Sequence, residues 1–162
     1  MDYKVYSGKK FNSLFNSDTI LLKIIDEKLE HKKLNGLITG CYEVYPEDLY
    51  STNDFIFTDN NGIISFINLG NKIYKVIIPD DAEVKIEDKY FYSTNKIELY
   101  ELEEEDYYKL NDNFWAAFNG DLKVVEKYLS NLSDSDVNNF IKMAAKNEHY
   151  EIVKLLKDKF NC

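Results

Sequence analysis

The sequence predicts a mixed α+β protein: an N-terminal helix and a small antiparallel sheet, followed by a pair of helix–turn–helix units. Three observations predict it. Apolar residues at spacings of three and four run through 17–35, and short β-branched and aromatic runs between turn residues fill 40–102. Then WAAFNGDLKVVEKYL (115–129) is echoed 28 residues later by MAAKNEHYEIVKLLK (143–157). The expected division is a domain over 1–110 and a helical pair over 111–162.

Taking the elements in order, SDTILLKIIDEKLEHKKLNG (17–36) offers Ser17 or Asp18 as N-cap and Asn35-Gly36 as a stop. Leu21, Leu22, Ile25 and Leu29 form one stripe, with Asp26, Glu27, Glu30 and the lysines opposite. The pattern predicts a helix over 17–35 that covers a core. Strands are predicted at 40–45, 54–59, 72–79, 82–87, 89–93 and 96–102, where Val, Ile, Tyr and Phe concentrate. DNNG (59–62), LGN (69–71), PDD (79–81) and STN (93–95) separate most of them. GIISFINLG (62–70) reads as a short helix between strands. Alternation turns Val84, Ile86, Phe91, Ile97 and Leu99 inward.

YELEEEDYYKL (100–110) follows. Its carboxylates Glu103, Glu104, Glu105 and Asp106 suit the first turn of a helix, whose positive dipole end favours anions. The spacing does not fit a calcium loop, and no His or Cys joins them. No metal is expected.

In the C-terminal repeat Ala116-Ala117 aligns with Ala144-Ala145, Asn119 with Asn147, Val124-Val125 with Ile152-Val153, and Tyr128 with Leu156. Paired alanines allow two antiparallel helices to approach closely, and Gly120 permits a left-handed turn between them. This pattern resembles the ankyrin repeat. It departs from that family in a period of 28, in the missing TPLH opening, and in Glu148 at the glycine position. Residues 55–99 also resemble the segment that precedes the repeats in giant-virus ankyrin proteins, through Phe57-Thr58-Asp59, Leu69-Gly70, Pro79, Asp81-Ala82 and Val84. The resemblance implies a protein-binding module, viral in origin, acting in the host cytoplasm. Two repeats leave bare hydrophobic ends, so the sheet section, with Trp115 and Phe118, is expected to seal the first of them.

Composition narrows the functional classes. The 162 residues carry 20 Lys, no Arg and 29 acids, a formal charge of −9, and 41–112 alone hold 6 Lys against 17 acids. Bidentate guanidinium contacts to phosphate are excluded and the net charge opposes nucleic acid, so no nucleic-acid partner is expected. No apolar run approaches the roughly 20 residues of a membrane span, and MDYKVYSGKK has no signal-peptide core. With only Cys41 and Cys162, a disulfide framework is implausible and a soluble cytoplasmic protein is expected.

Chemistry is sparse. His31 and His149 are the only histidines, and both fall on polar segments. No Gly-rich phosphate loop, zinc spacing or catalytic triad pattern occurs. No catalytic residue and no cofactor are expected, and the reading is non-enzymatic protein–protein interaction. The expected partner-binding residues are Asn119, Asp121, Asn147, His149 and Tyr150 in the repeat turns, with Tyr107 and Tyr108 beside them. Tyrosines give rigid interface area, and the acidic surface favours a basic protein partner. Two rivals stand: a small enzyme or ligand-binding domain in the sheet section, using acids such as Asp59 or Asp80, and an acidic decoy of a basic nucleic-acid-binding protein.

Overall fold

A computed structural model of the chain describes residues 4–26, 40–43, 55–110, 112 and 114–161, with 40–43 described by their backbone alone. The chain divides into two compact units, Met1–Leu102 and Glu103–Cys162. That division lies ahead of the expected boundary at 110, so the acidic segment after Leu102 belongs with the helices.

The first unit contains β1 (Val5–Ser7), α1 (Gly8–Asn12), β2 (Leu21–Ile25), β3 (Gly40–Glu43), β4 (Phe55–Asp59), a 3-10 turn (Ile63–Phe66), β5 (Lys72–Ile77), β6 (Glu83–Asp88), β7 (Phe91–Thr94) and β8 (Lys96–Glu101). They form an eight-stranded sheet in the order β1-β6-β7-β4-β2-β5-β8-β3, and each neighbouring pair is antiparallel. The predicted strands are present in the described stretches, and the 62–70 helix is one 3-10 turn pegged inward by Ile63. Of the residues predicted to face inward, Val84, Ile97 and Leu99 are buried, while Ile86 and Phe91 are half-buried.

The predicted helix over 17–35 is corrected at its centre. Leu21–Ile25 is a strand, paired with β4 through Leu22↔Thr58 and with β5 through Leu22↔Lys75. It lies inside the sheet, and Leu22 and Ile25, on opposite faces, are both fully buried. A strand covered on two faces shows a continuous apolar run, which spacing alone cannot distinguish from a helical stripe. Residues 27–35, including Leu29 and His31, lie outside the described residues, as do Tyr45, Tyr50 and Cys162.

β1 and α1 were not legible as elements. Ser7 caps α1 by accepting a hydrogen bond from the Lys10 amide, and the Gly8 amide donates to the Ala82 carbonyl at 2.7 Å. A Cβ on Gly8 would lie 1.8 Å from the Pro79 carbonyl oxygen, so the strand-to-helix junction requires glycine. This junction aims Phe11 into the core, where its ring meets Phe15, Phe57 and Tyr92 edge-on at centroid distances of 4.9–5.7 Å.

The second unit contains α2 (Glu104–Lys109), α3 (Phe114–Asn119), α4 (Leu122–Tyr128), α5 (Asp134–Lys146) and α6 (Tyr150–Phe160), with a 3-10 turn at Leu129–Asn131. α3 packs on α5, α5 on α6, and α4 on both α3 and α6. Trp115, Ala116, Ala117, Phe118, Val125 and Phe140 are buried. Ser133 and Asp136 form a capping box at the start of α5, each side chain reaching the other's backbone amide.

Candidate functional site

The two helix–turn–helix hairpins, α3–α4 and α5–α6, are bonded alike at their turns. The Asp121 amide donates to the Ala116 carbonyl at 2.9 Å, and the His149 amide to the Ala144 carbonyl at 2.8 Å. Gly120 donates to Ala117 as Glu148 does to Ala145, and Val125 donates to Asp121 as Val153 does to His149. Each pair is separated by 28 positions. The turn residues Gly120 and Glu148 both have positive φ, 76° and 62°.

Side chains then tie one turn to the other. Asn147 Nδ2 donates to the Phe118 carbonyl at 2.9 Å, and His149 Nε2 lies 2.9 Å from the same oxygen. A carbonyl can only accept, so the His149 proton sits on Nε2. The Phe118 carbonyl belongs to the last turn of α3, where carbonyls lack a helical partner. The imidazole lies close to Gly120, where an added Cβ would fall 2.6 Å from Nδ1. Asn147 and His149 are therefore half-buried internal clasps.

Asp121 is the N-cap of α4 and accepts from the Val124 amide at 3.2 Å. Asn119 donates to the Tyr107 hydroxyl at 3.3 Å, and Tyr107 is buried. Tyr108 and Tyr150 are exposed, at 65% and 66%. Tyr108 donates to Glu104, its ring edge meets Tyr128, and Glu104 forms an ion pair with Lys127 of α4. Lys127 holds the Glu104 carboxyl below its usual range and is itself raised by Glu104. Through Tyr107, Tyr108 and Glu104, α2 is pinned to the first hairpin. α2, expected within the domain over 1–110, carries acids that suit a helix start and two tyrosines that pack it on the first hairpin.

In the sheet, the Asp59 carboxylate is held by internal hydrogen bonds. Asp59 is 3% exposed, and its Oδ1 accepts from the Asn61 and Gly62 amides while Oδ2 accepts from Tyr92 at 3.0 Å. Burial, then the charge of Asp59, pushes the Tyr92 hydroxyl above its ordinary range. The Asp80 carbonyl receives the Lys9 amide, and Asp81 pairs with Lys96. Tyr100 is exposed and donates to Glu98. Among the described residues no helix is long and apolar enough to cross a membrane, and no group of three His, Cys, Asp or Glu side chains could hold a metal.

The structure thus brings Asn119 to Tyr107, and Asn147 and His149 to one carbonyl, while Tyr108 and Tyr150 present their rings to solvent. No protein-family model, curated protein or solved structure matches the chain.

Proposed function

We propose that this protein is a non-enzymatic interaction module of the ankyrin-repeat kind, similar to the giant-virus ankyrin proteins, whose helical unit binds a partner protein along its hairpin turns. The observation that carries this reading is the matched bonding of the two turns at 28-residue offset. Such turns are fixed by backbone bonds and internal clasps, which leaves neighbouring side chains free to vary without loss of the scaffold. Exposed aromatic side chains on a rigid frame are favoured interface anchors because little entropy is lost when they are covered.

Asn147, His149 and Asp121 are used inside the unit, so their removal tests folding as much as binding. Tyr108 and Tyr150 are the better probes. Affinity capture from cell lysate with the full chain, compared with Tyr108→Ala/Tyr150→Ala, is expected to show a protein retained by the wild type and weakened by about tenfold or more in the folded double variant. Identical retention by both proteins would remove the turn surface from consideration.

A further inference from the structure

We propose that α2 is a salt-sensitive latch on the first hairpin: its outer face, Glu104 and Tyr108, opens from α4 while buried Tyr107 stays seated. The observation that carries this is a sealed hydroxyl. The Tyr128 hydroxyl is shut off from solvent and has no hydrogen-bond partner among the described residues. A polar group so placed costs free energy for as long as the surface around it stays closed. The groups that act on it most sit in α2. The Tyr108 ring meets the Tyr128 ring edge-on at 6.5 Å. Burial first, then Tyr108, Glu104 and Asp121, push the Tyr128 hydroxyl above its ordinary range.

The bonds that close this face are weak. Glu104 and Tyr108, four positions apart, share one face of the helix. Glu104 pairs with Lys127, and the two side chains are 40% and 56% exposed, so solvent and salt screen the pair. Tyr108, itself exposed, donates to Glu104 at the long distance of 3.3 Å. An exposed ion pair returns less than a sealed hydroxyl without a partner costs, so closure of this face is marginal. The other side differs: Tyr107 and Leu110 are buried, and the Tyr107 hydroxyl accepts from Asn119. With six residues, α2 is too short to stay helical without such an anchor. Held there, it opens by rolling on Tyr107, which parts Glu104 from Lys127 and lets water reach the Tyr128 hydroxyl. Salt and loss of the hydroxyl therefore bias the latch in opposite directions.

Hydrogen exchange of the full chain, followed by mass spectrometry, reads the opening at the amides of 105–110, normalised to those of α5. In the wild type these amides are expected to exchange about twofold or more faster in roughly 1 M NaCl than in roughly 0.05 M. Lys127→Met, which keeps the stem and removes the charge, should show the faster rate at both salt concentrations. Tyr128→Phe keeps the ring and removes the hydroxyl; it is expected to slow exchange about fivefold or more. Unchanged or faster exchange in Tyr128→Phe overturns the proposal, because closing over the hydroxyl would then cost nothing. So does a wild-type rate indifferent to salt, or a salt response that survives in Lys127→Met. None of these results bears on partner capture with Tyr108→Ala/Tyr150→Ala, so the latch and the interaction reading fail separately.

Discussion

Tyr92 donates its hydroxyl to Asp59 in the interior, and Asp59 in turn accepts two backbone amides of the turn after β4. Tyr92→Phe would leave Oδ2 of a buried carboxylate without its donor, at a cost of about 1–3 kcal/mol in urea unfolding. The same contact gives a pH dependence. Burial and the neighbouring Asp59 charge hold Tyr92 protonated above the ordinary tyrosine value of 10.0 in the folded protein, so the unfolded chain ionises first as pH rises. Stability is fully present below pH 10 and is expected to fall as alkalinity increases beyond it, with a shallower slope in Tyr92→Phe. Parallel slopes in the two proteins would show that Tyr92 titrates as it does in water. At Gly120, a methyl group would meet the His149 ring at 2.6–2.7 Å in a left-handed conformation. Gly120→Ala is therefore expected to lose about 1–3 kcal/mol by denaturant unfolding, with the His149 clasp displaced.

At the scale of elements, β2 shows how tertiary context overrides local pattern. Ile20 to Ile25 is apolar at five of six positions, which fits a helix stripe and a two-faced strand equally. Pairing on both sides with β4 and β5 decides for the strand. α3 shows the converse case, where paired alanines and a following glycine made the hairpin readable without any partner. Its Trp115 is 3% exposed and packs between Phe114 and Phe118 at centroid distances of 4.4 and 5.4 Å. Trp115→Ala is expected to cost about 3–5 kcal/mol, and a loss below about 1 kcal/mol in urea unfolding would place it outside the core. For α5, Ser133→Ala removes the acceptor of the Asp136 amide and should cost about 1 kcal/mol, seen as a lower melting midpoint.

For the whole molecule, the relevant fact is the division into Met1–Leu102 and Glu103–Cys162. The second unit has two hairpins and α2 among the described residues, and on the proposed repeat reading that is fewer repeats than a stacked array needs to hold itself together. Expressed alone, 103–162 is expected to melt broadly at low temperature, measured by circular dichroism. A sharp transition of a monomeric fragment would show that α2, through Tyr107, Tyr108 and Glu104, is a sufficient cap for the pair.

By itself the sequence determined the period of the hairpins, the short strands with their turns, and the acidic, arginine-free surface. Those features depend on residues near one another in the chain, where spacing, capping and glycine placement act directly. Only the tertiary structure decided that Leu21–Ile25 is a strand, that Phe11 enters the core from an unforeseen N-terminal helix, and that Asn147 and His149 turn inward to one carbonyl. Each of these depends on a partner far away in sequence. Whether an apolar run is a helix face or a central strand, or a polar turn residue a contact or a clasp, depends on what the fold places beside it.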